Sequence, residues 1–179
     1  LLHGGFTDEE MNEIYNHSKI KAMVNLTKGE GFGRPLLEFS LTNKPILTTN
    51  WSGHIDYLNP EFTTLLQGTL KNVHPSAANN MLLKEAQWFN VDTGQVGYYL
   101  KDMFENYKKY KDLAKRQGYY SRTNFSFEKM KEKLSKILEE RTAGIPKQVE
   151  LKLPKLKKVG ENKTELPKLK LPKLKKVEA

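Results

Sequence analysis

The sequence predicts an α/β fold: a parallel sheet flanked by helices, closed by further helices and followed by an extended basic tail. Two short apolar segments, 22–26 and 46–49, are typical of strands buried on both faces of such a sheet. Between them, Pro35 suits the first position of a helix that continues from Leu36 to Leu41. We expect a right-handed βαβ crossover, with polar loops at the carboxyl ends of both strands, where ligands bind in open parallel sheets.

Helices are predicted on both sides of this unit. The capping box Thr7-Asp8-Glu9-Glu10 predicts a helix over 8–18. The charged, amphipathic segments 95–116 and 126–140 predict two closing helices. Segment 59–80 has a weak pattern rich in proline and asparagine, so we expect irregular connections there.

Charge divides the chain into two parts. The net charge is +9, but residues 147–179 hold eleven lysines against four glutamates, which leaves +2 for residues 1–146. The nine residues 151–159 recur unchanged at 169–177, interrupted by proline and without aromatic side chains. We therefore expect one domain over 1–144 and a disordered or extended Lys/Pro-rich tail over 145–179, acting in electrostatic docking or as a solvated linker.

Composition also excludes some chemistry. The chain has no cysteine, so thiolate nucleophiles and disulfides are excluded. The four histidines have no metal-ligand spacing and no D-x-D sequence occurs, so metal-independent chemistry is expected. No apolar run approaches the roughly 20 residues of a membrane span, which favours a cytoplasmic protein, with the basic tail compatible with a peripheral position at the inner membrane face. The first six residues are typical of a strand end, so the chain is expected to begin within a fold.

The strongest candidate for a functional site is the segment 29–38. Its three glycines let the backbone approach a ligand, and the N–H groups that open the following helix can hold a diphosphate. The carboxylates of Glu30 and Glu38 can face one crevice and accept hydrogen bonds from the hydroxyls of a sugar and a ribose. Two alternatives stay open: a tight turn without a ligand, and a Glu38 that projects into solvent.

These residues resemble a known family. Glu30-Gly31-Phe32-Gly33-Arg34-Pro35-Leu36-Leu37-Glu38 matches the E-x7-E element of retaining glycosyltransferases of the family 4 type, in the form E-G-F-G-x-P-x-x-E. Asn43-Lys44-Pro45-Ile46-Leu47 resembles the family's G-x-P-V-v strand entry, with asparagine where glycine is usual. Ser52-Gly53-His54-Ile55-Asp56 resembles its G-G-x-x-E loop, with serine for the first glycine and aspartate for glutamate. Phe6-Thr7-Asp8-Glu9-Glu10 resembles the start of the preceding helix, so the resemblance covers roughly residues 1–140.

The resemblance implies a GT-B architecture of two Rossmann-like domains, of which this chain holds part of the carboxyl-terminal, donor-binding one. The partners implied are a nucleotide-diphosphate sugar, an acceptor glycan, lipid or protein, and an amino-terminal acceptor domain missing from the chain. An arginine and a lysine that the family uses for the diphosphate lie upstream of this segment and are also missing. Retention of configuration without a protein nucleophile is implied, with no cofactor.

The resemblance also implies roles for individual residues. Glu30 would hold the donor sugar hydroxyls at the catalytic centre, and Glu38 would accept from the ribose. The other implied donor contacts are Gly31, Phe32, Gly33, Gly53 and His54.

A second class of function stays open: a non-catalytic nucleotide-binding module whose basic tail docks on nucleic acid or an anionic membrane surface. The tail has no aromatic or arginine side chains for base recognition, so only salt-sensitive attraction to phosphates remains. The aromatic side chains Trp51, Trp88 and Phe89 are more typical of core positions than of stacking platforms. Trp51 is also a candidate to cover the pocket.

Overall fold

The central sheet consists of three parallel strands, β1 (Met23–Asn25), β2 (Ile46–Thr49) and β3 (Thr64–Leu66), in that spatial order. Met23 lies opposite Ile46, and Leu47 lies opposite Thr64. The computed structural model describes residues 3–79 and 81–145. Within this part the fold is α/β, a parallel sheet flanked by helices, which is compatible with a Rossmann-like arrangement.

Five helices accompany the sheet in the described part of the chain. They are α1 (Asp8–Asn16), α2 (Arg34–Ser40), α3 (Thr93–Glu105), α4 (Tyr107–Asn124) and α5 (Phe127–Thr142). The predicted capping box at α1 is confirmed, because the Thr7 side chain accepts from the Glu10 N–H and the Glu10 carboxylate accepts from the Thr7 N–H. The predicted strand–helix–strand unit corresponds to β1, α2 and β2.

The prediction of one continuous helix over 95–116 is wrong. The chain leaves the helical conformation at Asn106, which has φ −112° and ψ 32°. Its side-chain amide donates to Asp102 Oδ1 at 2.7 Å, and its backbone N–H donates to Asp102 O at 2.8 Å. These local bonds end α3 and start α4, so three helices rather than two follow the sheet.

The prediction of irregular structure over 59–80 is also wrong. This region contains β3 and β4 (Gly68–Asn72), and β4 pairs antiparallel with β5 (Gln87–Val91). Sequence reasoning assigned no strand to β5. Phe89 in β5 is buried as expected, whereas Trp51 is 40% exposed and stacks on the Phe89 ring with a centroid distance of 5.8 Å.

The core lies on both faces of β2, all four residues of which are buried. Successive side chains point to opposite faces. Ile46 belongs to a cluster beneath α2, with Leu36, Phe39, Tyr57 and Leu58. Leu47 belongs to a cluster on the other face, with Leu66, Met103 and Tyr110. Burial on both faces explains why the strand appears in the sequence as a continuous run. Leu41, which directly follows α2, is 42% exposed.

Helix α4 contacts the segments that precede all three parallel strands. The Tyr107 hydroxyl donates to Lys21 O before β1, and the Arg122 guanidinium donates to Leu41 O before β2. Before β3, the Asn59 N–H donates to Gln117 Oε1 at 2.9 Å. The amino end of the sheet is therefore covered by α4.

The chain divides into two units, Leu1–Ala143 and Gly144–Ala179. Only residues 144 and 145 of the second unit are described, so the predicted tail and its repeat lie outside the described residues.

Candidate functional site

Two loops meet at the carboxyl end of the sheet: the glycine loop (residues 29–33), which follows β1, and the 50–54 loop, which follows β2. Ser52 Oγ accepts from the Glu30 N–H at 2.8 Å, and the Ser52 hydroxyl donates to the Glu30 carbonyl oxygen. The Gly53 N–H donates to the same carbonyl oxygen at 3.1 Å. Both hydrogen-bonding groups of the Glu30 peptide are thus held by the neighbouring loop.

Gly53 allows the two loops to approach this closely. A Cβ atom at Gly53 would lie 2.0 Å from the Gly31 carbonyl oxygen and 3.1 Å from that of Glu30. Real Cβ atoms do not come within 3.0 Å of backbone, so any other residue would push the loops apart. The glycine of the predicted G-G-x-x-E-like loop is explained by this contact between backbones.

Gly33 caps α2 in the left-handed conformation, with φ 77°. A Cβ atom there would lie 3.0 Å from the Tyr57 hydroxyl oxygen and 3.2 Å from His54 Cβ. The Tyr57 hydroxyl donates to the Gly33 carbonyl oxygen, and burial raises the pKa of Tyr57, with the Glu30 charge adding to the rise. The end of the glycine loop is therefore seated on two buried side chains.

The Glu30 carboxylate belongs to the same loop. It is half-buried, and Asn25 Nδ2 lies 3.5 Å from its Oε1, at the outer limit of a hydrogen bond. Phe32 packs beside it on the Tyr57 ring at a centroid distance of 5.0 Å and remains 45% exposed. Glu30 thus has few contacts of its own and depends on the loops for its position.

Glu38 has different surroundings. Its Oε1 accepts from Arg34 Nε at 2.8 Å, and Arg34 also lies 4.0 Å from the Asp8 carboxylate. Burial raises the pKa of Tyr15, and the Glu38 charge adds to that rise. These side chains line a cavity of about 490 Å³ between α1 and α2. The remaining lining residues are Met11, Asn12, Asn16, Pro35, Leu41 and Thr42. Arg34 had no role in the sequence-based prediction.

His54 is fully buried. Its Nε2 lies 2.6 Å from Thr49 O, and since a carbonyl can only accept, Nε2 carries the hydrogen. His54 Nδ1 and Thr49 Oγ1 have no hydrogen-bond partner among the described residues. The His54 side chain therefore packs against the buried side of the Gly33 backbone, and His54 has no solvent-exposed surface.

Two non-glycine residues in the described part of the chain have positive φ: Asn43 at 56° and Ser52 at 82°. They stand at the two positions where the glycosyltransferase pattern has glycine and this sequence does not. Positive φ favours glycine because it has no Cβ atom. Asparagine tolerates the left-handed region, whereas the conformation of Ser52, with ψ −167°, is one that almost only glycine adopts.

Sequence reasoning identified Ser52 only as a departure from the pattern and missed Tyr57. Tyr57 lies one residue beyond the predicted 52–56 motif, and no local signal distinguishes it from an ordinary core tyrosine. Its contact with Gly33 spans 24 positions and arises from tertiary packing.

Within residues 3–79 and 81–145, no three His, Cys, Asp or Glu side chains cluster in a way that could hold a metal ion. The helices in this part of the chain include none that is long and apolar enough to cross a membrane. Comparisons with protein-family models, curated proteins and solved structures find no match to this chain.

Proposed function

We propose that this chain supplies the donor-binding part of a retaining glycosyltransferase that uses a nucleoside-diphosphate sugar. One observation carries the proposal: Asn43 and Ser52 occupy the glycine positions of the family pattern and both have positive φ. The pattern and the backbone thus agree at the two glycine positions where this sequence has another residue. A chance match over residues 30–38 would not require this agreement elsewhere.

The exposed backbone of the glycine loop supports a diphosphate site. The N–H groups of Gly31 and Phe32 donate to no acceptor among the described residues, and both residues are exposed. Consecutive free N–H groups beside a helix start attract anions. When a sugar leaves a nucleoside diphosphate, negative charge grows on the β-phosphate, and fixed N–H dipoles stabilise that charge.

The two carboxylates would bind different parts of the donor. Glu30 belongs to the glycine loop, and its carboxylate would accept from hydroxyls of the sugar. Glu38 lines the cleft between α1 and α2, where a nucleoside has room and where its carboxylate would accept from the ribose. Arg34 takes one oxygen of Glu38, but a carboxylate offers about four acceptor positions, so both partners can be satisfied.

Calorimetric titration of the full chain with UDP, GDP, UDP-glucose and GDP-mannose tests this function. We expect binding of at least one nucleoside diphosphate and its nucleotide sugar, either UDP and UDP-glucose or GDP and GDP-mannose. The nucleotide sugar should bind more tightly than the nucleoside diphosphate. Glu38→Ala should lower the affinity for the nucleoside diphosphate and for the nucleotide sugar by about the same factor. Glu30→Gln should lower the affinity for the nucleotide sugar alone, by about tenfold per lost charged hydrogen bond.

Glu139→Gln on the exposed surface of α5 is the matched control and should bind like the unmodified chain. The proposal is wrong if the unmodified chain binds none of a broad panel of UDP- and GDP-sugars, or if Glu38→Ala binds as tightly as the control.

A further inference from the structure

Ser52 combines a strained backbone with an unusual pair of hydrogen bonds. Its φ of 82° and ψ of −167° belong to a region that a Cβ atom disfavours. Its hydroxyl bonds to both the N–H and the carbonyl oxygen of one residue, Glu30, which is 22 positions away. Glycine would fit this backbone without strain but could make neither bond.

We propose that Ser52 is a positioning residue whose hydroxyl holds the Glu30 peptide, and thereby the Glu30 carboxylate, in the orientation that the donor sugar requires. This inference rests on the proposed donor-binding function. It explains why a residue that costs backbone strain stands where glycine would be relaxed, since strain persists where other interactions offset it.

The two hydrogen bonds from Ser52 to Glu30, here called the Ser52 clamp, matter because residues 29–31 of the glycine loop have few other contacts. An added Cβ atom would meet nothing within 4 Å at Gly31, and only Ser52 Oγ, at 3.9 Å, at Gly29. Among the described residues, the Glu30 side chain has one hydrogen bond, the long one from Asn25. The Ser52 hydroxyl and the Gly53 N–H are therefore the main constraints on the Glu30 backbone.

Two variants separate the hydroxyl from the strain. S52A and S52G both remove the hydroxyl, but S52A keeps the Cβ atom at positive φ. The melting temperature of S52G should exceed that of S52A by about 2–4 °C. Both should lose about tenfold in affinity for the nucleotide sugar, by the same factor, while the affinity for the matching nucleoside diphosphate stays nearly unchanged.

Asn43 offers a matched control, as the other non-glycine residue with positive φ in the described part of the chain. It lies in the segment before β2 and accepts a hydrogen bond from Arg122 at 2.9 Å, away from the glycine loop. The melting temperature of N43G should likewise exceed that of N43A, while neither substitution changes the affinity for the nucleotide sugar.

Amide hydrogen exchange gives a readout that needs no ligand. The Glu30 N–H should exchange at least tenfold faster in S52A and S52G than in the unmodified chain and in N43A, because its acceptor is lost. If S52A binds the nucleotide sugar more weakly than S52G, in the order of their melting temperatures, Ser52 has only a structural role and the inference is overturned.

An unchanged preference for the sugar form in both Ser52 variants would also overturn the inference, while leaving the proposed function intact. If the unmodified chain binds no nucleotide sugar although Glu30 exchange responds to Ser52, the clamp exists but the donor-binding function and the positioning role both fail.

Discussion

The two ends of the parallel sheet use the same local devices in opposite settings. At each end a non-glycine residue adopts positive φ next to a glycine that has no room for a Cβ atom: Asn43 with Gly118 at the amino end, and Ser52 with Gly53 at the carboxyl end. At the amino end the close approach joins α2 to α4. At the carboxyl end it joins two loops.

The polar groups show the same contrast. At the amino end Gln117 is 2% exposed, and its amide makes hydrogen bonds with Asn59, Thr63, Tyr57 and Ser121. At the carboxyl end the Glu30 carboxylate has one long hydrogen bond, and the N–H groups of Gly31 and Phe32 have no acceptor among the described residues. Paired polar groups stabilise a fold, whereas unpaired exposed ones are available to a ligand. Stability and the candidate site are therefore expected to be separable by mutation.

The largest expected effect is that of Gln117→Ala, which removes the bonds at the amino end. The substitution leaves Tyr57 O and Thr63 Oγ1 buried without this partner, so we expect a loss of about 3 kcal/mol in the free energy of unfolding. Urea denaturation measures the loss. Glu139→Ala, on the exposed surface of α5, should change stability by no more than about 0.5 kcal/mol. Equal losses of stability in the two variants would contradict the contrast between the two ends of the sheet.

A pair of glycine substitutions should give opposite results at the two ends. In Gly118→Ala the Cβ atom would lie 2.2 Å from Asn43 Oδ1 and 2.8 Å from Ser40 O, so we expect a loss of about 2 kcal/mol with nucleotide-sugar affinity retained in the folded protein. In Gly53→Ala the surface loops can shift, so the loss should be about 1 kcal/mol, but affinity should fall by tenfold or more.

Gly97→Ala is the control for both, because a Cβ atom there meets nothing within 4 Å and the position lies inside α3. It should raise stability by about 0.5–1 kcal/mol. If Gly53→Ala keeps full affinity, the contact between the loops does not shape the site.

The smallest expected effect is that of Tyr57→Phe, which removes the hydroxyl that bonds to Gly33 O and should cost about 1 kcal/mol at neutral pH. Because burial raises the pKa of Tyr57 in the folded state, its contribution is fully present below the unfolded pKa of about 10 and is lost as the pH rises above it. The stability difference between the two proteins should therefore shrink between about pH 9.5 and 11.

Urea midpoints across that pH range measure the change, with Tyr98→Phe as the control because Tyr98 is 66% exposed. A difference that stays constant with pH would show that Tyr57 does not titrate with the predicted linkage.

The sequence alone determined the strand–loop–helix–strand order over 22–49 and the two carboxylates of segment 29–38. Local signals suffice there: apolar runs, Pro35 at a helix start and glycines at a turn. The short strands β3, β4 and β5 escaped prediction because three to five residues gain their burial only from pairing with distant segments.

Only the tertiary structure decided which groups meet. The Ser52 hydroxyl reaches Glu30 across 22 positions, and the Gln117 amide reaches Asn59 across 58, which no local pattern encodes. Tertiary packing also placed Glu38 in the cleft between α1 and α2, whose lining does not include Glu30. Hydrogen bonds between distant loops depend on how the strands pack, so their partners emerge only when the whole sheet and its covering helix are assembled.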